Sequence, residues 1–525
     1  MYDSRHSRPS AELSMRAALL LPLLFLAGCE RPTATSAPQP APTTAPVEVE
    51  ETAPEFDPTA SVVRINSTRQ GWNPGQPWEK NSPRKRRSLG AVVGDGKVLT
   101  TSEMVADATY VELETTDGRK LAPAKVAAVD YEANLALLSL EDPEDDFFAE
   151  LTAVEIADPA KPGDELQIVQ VENNGTPLVT RGPVQSLDII SNFLPGQFFL
   201  AYEVKASMQN SASSFTLPVF RDDKLAGLLT SYNSKDQLSD VTATDIVRRF
   251  IDDAADGSYE GFPSLGVSTS STDDSNFRKW LKLPDEVGGV YVSSVRKDSG
   301  AEKAGLKEGD VVVGVDGHDI DQLGYYDDPD YGRLFWSHLV RGSKAVGETV
   351  ELRVMRQGEP VTIEAILERR DNDSALVPAY TFDKAPNFLV KGGLVFQELS
   401  RPLLEAFGDE WQSRAPLELL DVLENPEKYE EKADRVVFLA GVIATPATVG
   451  YESLRNLIVS EVNGVEVRDM ESLIKAFDNV PGDGLNAINF ASEDFTVYLD
   501  EVVSTAVDGQ LLERGLSRLS RSDEK

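Results

Sequence analysis

Between residues 61 and 253 the chain is broken into short segments of β-forming residues, and that rhythm restricts the fold more than any other feature. Ser61-Val-Val-Arg-Ile-Asn66 alternates in part, and Leu89-Gly-Ala-Val-Val93 runs into the turn Gly94-Asp-Gly96. Lys97-Val-Leu-Thr100, Tyr110-Val-Glu-Leu113 and Leu135-Ala-Leu-Leu-Ser-Leu140 follow. Short strands bounded by turn residues point to an all-β barrel or sandwich. Helical periodicity enters only at the end, over 243–252, where Ile246, Phe250 and Ile251 share one face. A length of 525 residues leaves room for about three domains. A hydrophobic fraction of 41% is enough for packed cores.

The single cysteine marks the other end of the argument. Arg16-Ala-Ala-Leu-Leu-Leu-Pro-Leu-Leu-Phe-Leu-Ala-Gly-Cys29 has the basic start, short apolar run and small residues of a bacterial export signal, with Met15 as an alternative start. The apolar run is short for a hydrocarbon layer of about 30 Å. Leu26-Ala-Gly-Cys29 resembles a lipobox, which implies acylation of Cys29 as the mature N-terminus and leaves no thiol for a disulfide. Residues 30–60 are rich in Pro, Ala, Thr and Glu and poor in large apolar side chains, the composition of an extended tether. The expected organisation is a signal peptide at 1–28, a tether at 29–60, and folded domains beyond.

A formal charge of −36 argues against nucleic acid, whose binding needs a basic face, and against direct contact with anionic membrane surfaces. Membrane contact is expected through the lipid anchor alone. The acidic runs Glu141–Glu150 and Asp327–Asp330 read as solvated loops rather than calcium sites. The basic run Lys80–Arg87 reads as a solvated loop before the second barrel strand. No Gly-rich phosphate loop and no metal-spaced His/Cys cluster stands out, so no cofactor and no metal is expected.

Within 61–255 the residues carry a family resemblance. Gly90-Ala-Val-Val, Lys97-Val-Leu-Thr-Thr-Ser-Glu-Met-Val, Val129-Asp-Tyr-Glu-Ala-Asn-Leu-Ala-Leu-Leu and Lys224-Leu-Ala-Gly-Leu-Leu resemble the HtrA/Deg serine proteases, closest in flavour to the plant-type Deg branch. The resemblance implies a mainly β protein: a chymotrypsin-like double β-barrel followed by two PDZ-like α+β domains. It also maps the catalytic His–Asp–Ser triad onto Glu103, Asn134 and a serine within Asn210-Ser-Ala-Ser-Ser-Phe-Thr-Leu-Pro218. Aligned from the left edge the nucleophile falls at Ser213, and aligned from the right that place is taken by Phe215; Ser214 is the adjacent candidate. The chain holds three histidines, His6, His318 and His338, and none lies in the barrel segment. A serine hydroxyl is a poor nucleophile without a base to take its proton. The Gly-Asn-Ser-Gly-Gly-Pro of the family is reduced to Pro218, and losing one oxyanion donor alone costs roughly 3 kcal/mol of transition-state stabilisation. Glu103 is a conceivable substitute base, but Asn134 brings no orienting charge.

Two further modules follow. Residues 257–263 read as a linker, and 262–370 resembles a bacterial-type PDZ domain through Asp298-Ser-Gly-Ala-Glu-Lys-Ala-Gly-Leu-Lys-Glu-Gly-Asp310 and the paired segments 349–355 and 361–367. PDZ domains capture peptide C-termini by strand addition, with a backbone nest on the carboxylate. The resemblance makes Ser264, Leu265, Gly266 and Val267 the carboxylate loop. An acidic insertion, 324–331, precedes the helix that should line the groove, and His338 on that helix reads as a packed or surface residue. Residues 377–512 form a looser PDZ-like copy with an apolar strand at 436–443 and an Asn-Gly hairpin at 457–467. Its helix carries Met470, Leu473, Ile474 and Phe477 at i, i+3, i+4, i+7, and its insertion 401–434 is charged and partly helical. Residues 513–525 are set aside as a tail.

The expectation is a lipid-anchored envelope pseudoprotease that binds peptide or protein C-termini through the first PDZ domain, as a scaffold or quality-control factor. The resemblance allows a homo-trimer or co-assembly with an active paralogue. The alternative is an active serine endopeptidase using Ser213 or Ser214 with an unusual base.

Overall fold

The computed structural model describes residues 57–522 apart from 95, 192 and 209–215. Strand β1 (Val62–Arg69) is followed by a small hairpin, β2 (Trp72–Asn73) and β3 (Gln76–Lys80). Then come β4 (Arg84–Val93), β5 (Lys97–Thr100), β6 (Ala108–Thr115), β7 (Leu121–Asp130) and β8 (Leu135–Leu140). The hairpin apart, these close a six-stranded barrel in the order β1-β4-β5-β8-β7-β6. A second closed barrel joins β9 (Glu165–Val171), β10 (Pro177–Ser191), β11 (Phe198–Lys205), β12 (Leu217–Arg221), β13 (Lys224–Asn233) and β14 (Leu238–Thr242). Helix α1 (Thr244–Asp253) closes the unit, with Ile246, Val247 and Phe250 fully buried.

The unbroken apolar run of β8 has a geometric reason. Successive strand side chains point to opposite faces. Ala136 and Leu138 enter the core of the first barrel, while Leu135 and Leu137 enter the core shared with the second. With both faces covered, alternation with polar residues disappears. The basic run departs from the loop expected for it. Arg84–Arg87 belongs to β4 and pairs with Ser67 to Arg69 and Asn66 of β1, so the backbone is in the barrel while the side chains stay exposed. Charge decided the side-chain environment but not the backbone conformation. The acidic run 141–150 is likewise not all solvated, because Phe147 in the turn Phe147–Glu150 is buried in the first barrel.

The first PDZ domain comprises β15 (Pro263–Ser264), β16 (Val267–Ser270), α2 (Ser275–Leu281), β17 (Val290–Val295), α3 (Gly300–Lys303), β18 (Val311–Val315) and β19 (His318–Asp319). It continues through β20 (Tyr325–Asp328), β21 (Gly332–Phe335), α4 (His338–Arg341), β22 (Thr349–Arg356), β23 (Glu359–Ile366) and β24 (Glu368–Arg369). Its sheet runs β16-β17-β18-β22-β23, and β15 pairs with β24 beside it. The acidic insertion is not a solvated loop but the hairpin β20–β21. Tyr331 at its turn donates to Asp245 of α1 at 2.5 Å, and Asp330 pairs with Lys161 at 2.6 Å. Residues 257–263 are no loose linker either, since Phe262 is buried and Tyr259 donates to Asp130 at 2.8 Å.

The second PDZ domain repeats that sheet with additions. It contains β25 (Phe388–Lys391), β26 (Leu394–Glu398), helices α5 (Arg401–Glu405), α6 (Trp411–Arg414) and α7 (Leu417–Glu424), and β27 (Val437–Val442). Then follow β28 (Leu457–Val462), β29 (Val465–Glu466), α8 (Met470–Asp478), β30 (Leu485–Phe490), β31 (Thr496–Asp500), α9 (Glu501–Glu513) and β32 (Ser520–Arg521). Its order β26-β27-β28-β30-β31 parallels β16-β17-β18-β22-β23. Outside β26, however, lie β25 and then β32, so the segment set aside as a tail supplies a strand. Asn463 and Gly464 both take positive φ, the pattern of the tight turn expected between β28 and β29. Met470, Leu473 and Phe477 of α8 are buried as the helical spacing requires.

Candidate active-site cleft and peptide groove

Glu103 sits on a single 3-10 turn, Ser102–Met104, directly after β5. Burial of Met104 and Val105 in the first barrel pulls the chain into that turn. Asn134 holds it from the β7–β8 connection. Its φ of 56° is a left-handed conformation that Asn adopts more readily than most residues. Its Oδ1 accepts from the Ser102 hydroxyl at 3.1 Å and from the Glu103 N–H at 3.0 Å, with only 3% of the residue exposed. Across the cleft the hydroxyls of Thr101 and Thr216 meet at 2.7 Å and tie the barrels together.

The Glu103 carboxylate accepts from Nη1 of Arg86 on β4, and both side chains are partly solvent-exposed. A base must reach the hydroxyl it deprotonates, and this carboxylate would first have to give up a charge-assisted hydrogen bond. The partner was hidden in the sequence inside a run of basic residues. Only the cross-barrel register reveals which arginine faces the turn. The structure therefore brings Glu103 and Asn134 together; Ser213, Ser214 and Phe215 lie outside the described residues, as does Cys29.

The segment between the PDZ domains reaches the same end of the first barrel. Tyr380 and Phe382 pack with Tyr131, Ala106, Phe193 and Leu194. The Tyr131 hydroxyl donates to Asp383, the Asp107 N–H donates to Asp383 at 2.8 Å, and the Asp383 N–H returns a bond to Asp107 at 3.0 Å. Burial pushes the Asp107 carboxyl above its usual range, and burial together with Asp383 raises the Tyr131 hydroxyl. No sequence signal marked this segment, because its aromatic residues have no periodicity.

In the first PDZ domain, Ser264, Leu265, Gly266 and Val267 form the bend from β15 into β16. Gly266 has φ of +81°, and a Cβ there would lie 2.4 Å from the Ser299 Cβ, so glycine is required. The Leu265 carbonyl accepts from Ala301 at 3.2 Å and the Gly266 carbonyl from Arg296 at 2.9 Å, which anchors the loop to α3 and the end of β17. β16 is the outermost strand of its sheet, the arrangement that accepts an added strand. The β26 counterpart in the second domain has β25 on that side instead. Helix α4 is one turn long. His338 on it is buried, 7% exposed, its Nδ1 without a hydrogen bond among the described residues, and burial lowers its pKa. Arg341 leaves the helix toward the barrels, donating to Gln197 at 2.6 Å and Glu132 at 2.5 Å and lying 4.6 Å over Phe199.

Residues 89–214 match the trypsin-like peptidase domain, and residues 263–367 and 377–523 each match the PDZ domain. Protease Do-like 2, chloroplastic, of Arabidopsis thaliana is 27% identical, the match covering 80% of this chain and 68% of that protein. The chain thus combines a trypsin-like peptidase domain with two PDZ domains, and its homologues are HtrA/Deg proteases. Other relatives include the putative protease Do-like 3, mitochondrial, of Arabidopsis thaliana, 26% identical over 79% of this chain and 71% of that one. The periplasmic serine endoprotease DegP of Salmonella typhimurium is 24% identical over 52% and 54%. Among solved structures, the HtrA-type protease AlgW with a decapeptide aligns at a TM-score of 0.44 and 18% identity, over 60% of this chain and 96% of that one.

Proposed function

We propose that this HtrA/Deg protein is a non-catalytic, lipid-anchored scaffold of the cell envelope that captures peptide or protein C-termini on the open β16 edge of its first PDZ domain. The observation that carries this reading is the occupation of Glu103 and Asn134. The residue at the mapped base position is bound to Arg86, and the one at the mapped carboxylate position is used to hold the turn. Residues committed to structure are not free to move a proton. The lipobox-like Leu26-Ala-Gly-Cys29 and the periplasmic and organellar names among the relatives support an envelope location.

The decisive experiment incubates the full chain with unfolded casein and with a serine-reactive fluorophosphonate probe. The expected result is neither cleavage nor labelling. Cleavage or labelling that disappears in Ser213→Ala or Ser214→Ala would establish the alternative, a serine endopeptidase with an unusual base. Labelling of the chain with radioactive palmitate, lost in Cys29→Ser, tests the anchor; unchanged labelling would sink it.

A further inference from the structure

Arg296 follows β17 directly, and its Nη2 comes within 3.4 Å of the position a Cβ would take on Gly266. The guanidinium therefore lies against the bend that should hold a peptide carboxylate. It is half-buried, yet no hydrogen bond or ion pair joins it to any described residue. Its strongest charged neighbour is a second guanidinium, Arg370, directly after β24. β24 pairs with β15, the strand that leads into Gly266. The surrounding carboxylates are committed elsewhere or too far to pair. Glu368 is held by Lys303 at 2.6 Å, Glu132 by Arg341 at 2.5 Å, and Glu430 makes no ion pair with Arg296.

Desolvation, followed by Arg370, pushes the Arg296 guanidinium down from its ordinary range, against the opposing pull of Glu368, Glu132 and Glu430. A partly dehydrated guanidinium with five unused N–H donors is a strong receptor for a planar carboxylate. A PDZ bend meets the terminal carboxylate with its own backbone N–H groups, so a guanidinium with unspent donors beside it favours a second negative group on the ligand.

We propose that Arg296 is the anion-holding side chain of the PDZ1 groove, and that the groove selects C-termini whose last or next-to-last side chain is acidic. This rests on the reading of β16 as a peptide-capture edge. Arg296 is the specificity-determining residue.

The test uses the full chain and three fluorescein-labelled decapeptides identical except at the end: a free acid with glutamate in the next-to-last position, the same peptide with glutamine there, and the glutamate peptide as a C-terminal amide. Fluorescence anisotropy at about 0.15 M salt, where exposed charges are screened beyond roughly 8 Å, keeps the −36 net charge from dominating. The glutamate peptide is expected to bind about tenfold more tightly than the glutamine peptide. Arg296→Gln should erase that ratio, and Arg296→Lys should restore part of it. An unchanged melting temperature in the variants separates recognition from folding. Equal binding of the glutamate and glutamine peptides, or a ratio that survives Arg296→Gln, overturns the selection while leaving peptide capture intact. If none of the peptides, nor a random C-terminal library, binds the unaltered chain, peptide capture itself fails and this inference with it.

Discussion

Asn134 is committed to holding the turn that follows β5. Its Oδ1 satisfies one buried hydroxyl and one backbone N–H of the turn that carries Glu103. Asn134→Leu should leave both donors unpaired and cost about 1–3 kcal/mol, read as a lower denaturant midpoint. Glu103→Gln should shift stability by no more than about 1 kcal/mol, because the pair with Arg86 is partly exposed. His338 responds to pH through its burial, with Asp245 and Asp328 the charges that oppose the effect and the Tyr331 ring packed at 6.4 Å. A histidine whose pKa is lowered in the folded state binds its proton first in the unfolded chain. Its contribution is therefore complete above the ordinary value of 6.5 and is lost as pH falls below it toward the folded value. Melting scans between pH 7.5 and 5.5 should show a fall in stability that is smaller in His338→Gln; an equal fall in both would reject the assignment.

Among the elements, the β20–β21 hairpin and the C-terminal strand do work that their composition conceals. The hairpin carries acidic residues in sequence, yet it latches the first PDZ domain onto α1 and the second barrel through Tyr331–Asp245 and Asp330–Lys161. Tyr331→Phe removes a hydrogen bond to a charged acceptor, worth about 1.5–3 kcal/mol, and should raise amide exchange in β20 and β21 before it lowers global stability. At the other end, β32 pairs with β25, while Ser517 donates to the Trp78 carbonyl at 2.8 Å and Arg521 lies 4.2 Å over the Trp72 ring. Truncation after Leu516 should expose the β25 edge and the fully buried Phe388 beneath it. Hydrogen exchange should then rise together in β25 and in the β2–β3 hairpin, over 300 residues away in sequence. A rise in β25 alone would show the two are not coupled.

At the scale of the whole molecule, further contacts join the domains. Tyr259 reaches Asp130, Arg341 reaches Glu132 and Gln197, and Asp383 closes a reciprocal pair with Asp107. Arg341→Ala would leave Glu132 uncompensated in a largely buried setting and expose the face of Phe199, a loss of about 3–5 kcal/mol by the behaviour of buried pairs. Asp383→Ala should free the inter-PDZ segment, seen as faster limited proteolysis within 371–386 and an increased radius of gyration in solution scattering. Unchanged scattering and proteolysis would mean the aromatic packing of Tyr380 and Phe382 suffices alone.

Barrel strands, the first PDZ sheet, the Asn463-Gly464 turn and the α8 stripe were legible because each is written in local alternation, turn chemistry or 3.6-residue spacing. The missing barrel histidine and the asparagine at 134 were legible as well, since identity alone reveals them. What the residues at those positions do was not. That Arg86 binds Glu103, that Arg84–Arg87 is strand rather than loop, and that the Arg296 guanidinium lies beside Gly266 all depend on residues brought together from more than a dozen positions apart. So does the closure of the β26 edge by β25 while β16 stays open. By itself the sequence determined the elements and the chemistry available to them, because backbone conformation follows local pattern. Only the tertiary structure decided which charges are spent on each other, because pairing is set by distance in space.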